Sequence, residues 1–444
     1  MTTATTTTIQ PPILDRLEAA WRRSDLVLGL VAKDALLDRP IALRHPFVFY
    51  LGHLPAFGWN QVCRRVLRRE SPRPDFDDLF ERGIDPLSEQ DPAARRVFAW
   101  PAVDEIAAYR DRVREALRGA HAEVAARHDP RIYNVVLEHE VMHHETLLYM
   151  LHQLDRAKRT RPAGVPAPVG GTGERRRCGE TVRVPEGEAV LGADFARAPF
   201  GWDNEFPEFR VRVPAFEIDA LPVTNESFRE FVAAGGYSNR ALFSAEGWEA
   251  KEKYGLRHPL FWKETGAGSY AVATLFEDVP FDVAARWPVT VSWIEANAYA
   301  RWRGARLATE PEFHRAAYST PGGERRPFPW GAEPPAPRHG NFDFANWAPT
   351  PVGSHPEGAS AFGVEDLVGD GWEWTGTTFG PFPGFRAWIE SYPGYSSDFF
   401  DAKHYVLLGA SWATGAELVR RSFRNWFQPN YPYVFAKFRC VRPA

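Results

Sequence analysis

Residues 131–157 read RIYNVVLEHEVMHHETLLYMLHQLDRA, a run that reads as one helix. Positions four apart share a helix face. His139 and His143 can therefore converge on one metal ion, with Glu140 or Glu145 in reach. The question for the rest of the chain is what supplies further ligands and what lies opposite the metal.

Working outward, three more helices precede this one. ILDRLEAAWRRSDLVLGLV (13–31) carries apolar residues at helical spacing. RHPFVFYLGHLPAFGWNQVCRRVLRRE (44–70) is a second long helix, expected to start near His45-Pro46. VDEIAAYRDRVREALRGAHAEVAAR (103–127) is a third, charged on one face. Four amphipathic helices with a longer excursion at 71–100 predict a four-helix bundle over 10–157, an architecture that builds metal sites from facing helices. His53, on the second helix among apolar neighbours, is the best third ligand. His144 is turned about 100° from His143, and His152 lies two turns further on. Three neutral imidazoles leave the full charge of a divalent ion available, and zinc, iron and copper all suit such a set.

HEVMH also matches H-E-x-x-H, the zinc-metalloprotease helix in which Glu140 would be the general base. That motif is short and recurs by chance. Proteases of that kind find their third ligand downstream and hold a peptide on an upstream edge strand, whereas the upstream sequence here is helical.

The 444 residues suit two or three domains, and the net charge of −4 gives no reason to expect a nucleic-acid partner. Cys63, Cys178 and Cys440 are too few and too far apart for a disulfide framework or a cysteine zinc site. MTTATTTTIQPP at the start reads as a disordered tail, with neither the basic nor the apolar segment of a signal peptide. No apolar run approaches the roughly 18 residues of a membrane span, so a cytoplasmic protein with no membrane partner is expected.

KRTRPAGVPAPVGGTGERRRCGE (158–180) has the composition of a linker or mobile loop. From 181 the texture changes to short strand candidates, TVRVPEGEAVLG and FRVRVPAFEIDALPVT. Helices follow at 224–234 and 292–303, with Thr224 and Ser292 where N-caps belong. The remainder, 320–444, is turn-rich and aromatic. The 16 Trp and 31 Phe of the chain fall mostly in this second half. Such a domain has to rely on buried rings and on side-chain hydrogen bonds to irregular backbone.

Several motifs of this half occur in a recognisable order: FEIDALPVTNESFREFV (216–232), PVTVSWIEANAYARWRGARLATEPEFHRAAY (288–318), FPWG (328–331), GVEDLVGDGWEWT (363–375) and FAKFRCV (435–441). They resemble the formylglycine-generating-enzyme, or sulfatase-modifying-factor, domain, a C-type-lectin-like fold. The paired C-terminal cysteines of that enzyme are missing, since only Cys440 lies there. The first half resembles the DinB-like bundle. The implied fold is α+β: a DinB-like four-helix bundle over 10–157, then a lectin-like domain over 181–444.

The combination resembles the non-haem iron sulfoxide synthases of ergothioneine and ovothiol biosynthesis and their relative, selenoneine synthase. The resemblance implies an oxidoreductase that uses Fe(II) and dioxygen to join a chalcogen donor to C2 of the imidazole of hercynine. The family's L-G-H and H-x-x-x-H ligands fall on His53, His139 and His143. Its R-N-W segment implies Asn425 and Trp426 at the hercynine pocket. Its Y-x-x-Y stretch implies Tyr392 as proton donor and Tyr395 against hercynine. The quaternary ammonium of hercynine needs an aromatic surround, which gives the ring-rich half a role besides packing.

The γ-glutamylcysteine-using branch has Asp after R-N-W, an Arg shortly after, and Gln inside H-x-x-x-H. Phe427, Tyr431 and Met142 stand in those places here. The endings GASWAT (409–414) and RRSFRNWFQPNYPY (420–433), with RHPFVFYLGHLPAFGWN (44–60), resemble the branch that includes selenoneine synthase. That implies a selenosugar donor and a selenoxide product. Cysteine or another thiol, giving a sulfoxide, is the alternative. A non-catalytic binding module with structural histidines is the competing reading from another class.

Overall fold

The computed structural model describes residues 11–81, 99–171, 179–389 and 392–444. The start of the N-terminal tail, most of the excursion after residue 81, and Cys178 lie outside the described residues. The chain divides into two compact units, Met1–Pro162 and Ala163–Ala444, at a point inside the stretch read as a linker.

The first unit contains α1 (Ile13–Leu28), α2 (Phe47–Gly58), α3 (Pro74–Glu81), α4 (Val103–Arg127) and α5 (Ile132–Gln153). In α4 the buried residues are Ile106, Tyr109, Val113, Leu117, Ala120 and Val124. Steps of three and four confine them to one stripe, and the charged residues between them face water. Helix α5 is buried along most of its circumference, from Tyr133 to Leu151. It packs against α1 and α2, while α2 packs against α4. Each large apolar side chain fully buried in this way contributes roughly 1.5–3 kcal/mol.

The second helix departs from the single long one expected. Pro55 sits inside α2, and from Trp59 to Val66 the chain widens into a π-helix. Proline removes one N–H from the helical ladder, and the wider turn hands Leu67 N to Val62 O at 3.0 Å. Helix α3 was not expected at all. It lies in the excursion and carries Phe76, Asp77 and Phe80 into the interior.

The second unit is built from short pieces. Its strands are β1 (Thr181–Val184), β2 (Gly187–Leu191), β3 (Phe209–Val213), β4 (Phe216–Asp219), β5 (Trp262–Gly266), β6 (Ser269–Ala273), β7 (Asp278–Pro280), β8 (Arg306–Leu307), β9 (Gly371–Thr378), β10 (Tyr405–Ala410), β11 (Asn425–Phe427), β12 (Ala436–Lys437) and β13 (Cys440–Pro443). They form sheets in the orders β1-β4-β13-β8, β11-β10-β9-β12, β2-β3 and β5-β6-β7. The C-terminal β13 pairs antiparallel with β4, Val441 against Ile218, so chain end and domain start close one sheet.

Helices α6 (Asn225–Ala233), α7 (Ala245–Lys253), α8 (Phe281–Ala284), α9 (Trp293–Trp302) and α10 (Glu310–Tyr318) lie between the strands. Thr224 and Ser292 are the N-caps of α6 and α9, as expected, and Ser292 also forms a capping box with Glu295. Helices α7 and α10 and the β5–β7 ribbon were not read from the sequence.

Buried charge fastens the irregular loops. Arg439, fully buried, pairs with Glu373 and donates to the carbonyls of Asp219, Ala220, Glu365 and Asp366. The buried Lys437 ammonium donates to Gly369 O and Gly371 O. Burial pulls its pKa down to about 8 against the pull of the Glu373 carboxylate.

Close backbone approach adds a glycine requirement. Gly409 in β10 has φ 85°, and a Cβ there would lie 2.3 Å from Leu367 O. Left-handed strain and a clash with a carbonyl act together. Gly409→Ala is expected to cost at least about 2 kcal/mol, read from the urea unfolding midpoint. A loss under about 0.5 kcal/mol would show that the loop gives way. Among the described residues no helix is long and apolar enough to cross a membrane.

Candidate metal centre

His53 comes from α2, and His139 and His143 from successive turns of α5. One ligand nitrogen from each lies within 4.8 Å of the other two. His139 Nε2 and His143 Nε2 are 3.2 Å apart. Nitrogens at about 2.1 Å from one ion, roughly 100° apart, are separated by about that distance. His53 and His139 are buried, and His143 is partly buried.

The ring of His53 is oriented from behind. His53 Nδ1 lies 2.7 Å from Phe80 O, so Nδ1 carries the proton and donates it to that carbonyl. Nε2 is then a lone-pair donor, and it is buried with no hydrogen-bond partner among the described residues. A buried acceptor without a partner calls for a ligand. The donor set therefore fits a divalent transition ion, and it leaves coordination positions open.

Rings wall the site. Phe57 stacks on His139 at 3.5 Å and 5°, and Phe49 on His53 at 4.9 Å and 17°. Tyr50 lies 5.5 Å from His143. This dry surround keeps the imidazoles neutral, the form that binds metal. Burial pushes His53 down to about 4, only partly countered by the Phe80 carbonyl. Burial, then the neighbouring imidazoles, holds His139 well below the usual range, and burial does the same for His143.

The remaining polar residues of HEVMHHE serve a different face. Ser24 Oγ on α1 donates to Glu140 Oε1 at 2.5 Å and lies 2.8 Å from His144 Nε2. All three residues are buried. Glu140 is thus engaged by α1, which does not fit the base of a metalloprotease. Burial pushes its carboxyl up to about 7, against the Ser24 hydrogen bond. The folded protein keeps a proton that the unfolded chain releases above its ordinary pKa of 4.5, so stability falls as pH rises from there to about 7. Glu140→Gln removes that loss. Unfolded in urea, the variant is expected to gain on the wild type by up to about 3 kcal/mol between acid and pH 8, with its metal retained. Loss of metal would instead place Glu140 in the metal chemistry.

In the second unit three of the four residues singled out from the sequence, Tyr392, Tyr395 and Trp426, are joined by ring contacts, and Asn425 adjoins Trp426 along the strand. Asn425 and Trp426 lie on β11, opposite Leu407 and Val406 of β10. Trp426 stacks on Phe399 at 3.9 Å and lies 6.3 Å from Tyr395. Tyr392 and Tyr395 are 6.3 Å apart. Asn425 Oδ1 accepts from Trp426 N.

Sequence reading missed the turn beneath these rings. Trp202 lies 4.1 Å from Tyr395, and Asn204 Nδ2 donates to Ser396 Oγ at 3.2 Å. Asp203 Oδ1 accepts from Trp388 N and Ile389 N, both at 3.0 Å. The available signal was WDNE, a Trp followed by three polar residues ahead of a strand. Arg424, beside Asn425, is fully buried, bonds both oxygens of Glu310 and donates to Asn204 O. His355, Asp366 and Asp370 also approach within 4.8 Å of one another. There Asp370 accepts from Thr350 and Asn341, which makes it a fastener of its own loop.

A family model described as the DinB superfamily matches residues 16–147, and one described as sulfatase-modifying factor enzyme 1-like domain matches 167–444. A protein named hercynine oxygenase from Mycolicibacterium smegmatis is 39% identical over 317 residues, 70% of this chain and 71% of its own. A hercynine oxygenase from Mycolicibacterium thermoresistibile is 37% identical over 421 residues, 92% of this chain and 90% of its own. Ergothioneine biosynthesis protein 1 of Neurospora crassa is 32% identical over 515 residues, 97% of this chain and 58% of its own. Fold and matches together define a DinB-type helical domain followed by a sulfatase-modifying-factor domain. The chain belongs to the superfamily of ergothioneine-type sulfoxide synthases.

Proposed function

We propose that this protein is an Fe(II)- and dioxygen-dependent oxidoreductase that joins a chalcogen donor to C2 of the hercynine imidazole. The observation that carries this reading is the convergence of His53, His139 and His143 in a chain 37–39% identical to proteins named hercynine oxygenase. His53, His139 and His143 would hold the iron. Bound there, iron supplies open positions for dioxygen and for a soft selenolate or thiolate.

The other residues bind and orient. Tyr395 and Trp426 offer ring faces to the trimethylammonium, which cannot donate a hydrogen bond, and Asn425 adds a polar amide. Tyr392 is the proton donor. Holding hercynine and donor together turns a collision of several molecules into an ordered event. Overall, hercynine C2–H and the donor's Se–H or S–H are lost and a C–Se or C–S bond forms. Dioxygen takes four electrons, and its oxygens end in the chalcogen oxide and in water.

For the donor, the reading is a selenosugar, giving the selenoxide of selenoneine biosynthesis. Cysteine or another thiol, giving C–S bond formation of the ergothioneine type, is the alternative. Phe427 and Tyr431 stack at 5.3 Å and 16°. A γ-glutamyl donor brings an ammonium and a carboxylate that need charged or hydrogen-bonding partners once desolvated, and a stacked ring pair favours a less charged donor. The reading places the reaction in the cytoplasm.

The test is an Fe(II)-reconstituted assay with hercynine and dioxygen, offering selenosugar, cysteine and γ-glutamylcysteine in competition. Mass spectrometry is expected to show the selenoxide as the main product. Preference for γ-glutamylcysteine would overturn the donor argument. No oxidised hercynine product with any donor would overturn the reading as a whole.

A further inference from the structure

We infer that helix α3 is the positioning device of the metal centre, with Tyr109, Asp77 and Gly52 as the residues that set it. The inference rests on the three-histidine reading and adds residues that touch no metal.

Helix α3 has eight residues, Pro74–Glu81. Such a helix is marginal by itself, so its position has to come from what it packs on. Its exposed ion pairs, Arg64–Asp78 and Arg65–Glu81, contribute little. The anchors are internal. Asp77 is fully buried, and its Oδ1 accepts the Tyr109 hydroxyl of α4 at 2.7 Å. Asp77 O accepts from Asn60 Nδ2, on the π-helical stretch after α2, at 3.2 Å. Phe76 and Phe80 bury their rings on either side of this anchor.

One turn beyond Asp77, the same helix presents Phe80 O to His53 Nδ1. This hydrogen bond fixes both the tautomer and the rotation of the ligand ring. A group in this position typically changes metal affinity 10–100-fold. Approach to His53 is set by its neighbour. A Cβ on Gly52 would fall 2.4–2.5 Å from three carbons of the Phe80 ring. Only glycine at 52 lets α3 seat deeply enough for its carbonyl to reach the ligand. The chain of contacts runs from Tyr109 to Asp77, along one turn to Phe80, and from Phe80 to His53. Ligand constellations tolerate only about 0.5 Å of displacement, so a shift at Asp77 is felt at the metal.

The experiment titrates Co(II) into full-length protein and reads both the dissociation constant and the visible ligand-field spectrum. Tyr109→Phe removes the anchor and is expected to weaken Co(II) binding about 10-fold or more and to move the absorption bands. Asp77→Asn keeps an oxygen for the Tyr109 hydroxyl and is expected to stay within about threefold of wild type, well short of the 10-fold mark. Tyr133→Phe is the matched control, because its buried hydroxyl donates to Leu117 O at the same 2.7 Å in the same unit. It should lose comparable thermal stability with no change in Co(II) affinity or spectrum. Gly52→Ala should reproduce the Tyr109→Phe spectrum. Equal Co(II) parameters for Tyr109→Phe and Tyr133→Phe would overturn the positioning role alone. Absence of Co(II) uptake by the wild type would overturn the metal reading, and the positioning role with it.

Discussion

His139→Ala should purify without iron after anaerobic Fe(II) reconstitution and should not turn over. Of the three imidazoles, His139 is the one packed flat on Phe57, at 3.5 Å, and it lies 3.2 Å from His143 at the nitrogen. Removing it leaves two ligands on different helices. Loss of a group that only orients a ligand lowers affinity 10–100-fold, so loss of the ligand itself should exceed about 100-fold. The fold should survive. The variant forfeits the Phe57 stack and opens a small cavity, at a cost of about 1–3 kcal/mol, and it relieves the close approach of two nitrogens. Metal analysis, with circular dichroism to confirm the bundle, separates the two effects. Retained iron and activity in His139→Ala would sink the three-histidine site.

The largest stability effect is expected at Arg424→Ala. Its guanidinium meets Glu310 at 2.7 and 3.1 Å, with both side chains buried, and it also donates to Asn204 O and Gly380 O. Phe382 lies 4.0 Å from its centre. Truncation leaves a carboxylate in a dry interior and costs about 3–5 kcal/mol, far more than the pair contributes relative to a well-packed apolar substitute. The consequence reaches the candidate substrate residues, because Asn425 and Trp426 follow directly in β11 and the Asn204 turn under the Tyr392–Tyr395 loop loses a donor. Urea unfolding should show the loss, and hercynine KM should rise. A change under about 1 kcal/mol would mean that Glu310 finds another partner or takes up a proton.

Which parts of this molecule can be read from its sequence follows from how far each signal reaches. Helix α4 declares itself by a stripe of buried residues that runs from Ile106 to Val124, and α5 by its length and its histidine pair. Helix α3 declares nothing. PDFDDLFE offers two phenylalanines four apart and acidic residues that suit a loop equally well. The π-helical stretch after α2 has no residue signature at all. In the second unit β1 to β4 carry a recognisable alternation, whereas α10 is too short for a periodic stripe, and only the Thr309–Glu312 capping box marks its start.

The same distinction governs the site. Imidazole ligands announce themselves by residue type and spacing. The Phe80 group that orients His53 is a backbone carbonyl, which every residue has, and only the fold selects it. Trp202 and Asn204 come near Tyr395 and Ser396 through almost two hundred residues of separation, which no local pattern encodes.

The near-complete burial of α5 has a practical consequence for protein engineering. A helix gripped on several sides offers almost no position where sequence can drift, and one further polar side chain there would need a partner that the packing does not hold. Libraries that aim to test the proposed choice of donor should leave residues 133–151 untouched. Diversity belongs around Phe427 of β11 and the nearby Tyr431, the stacked pair proposed to face the donor, which lie in the second unit and outside the bundle.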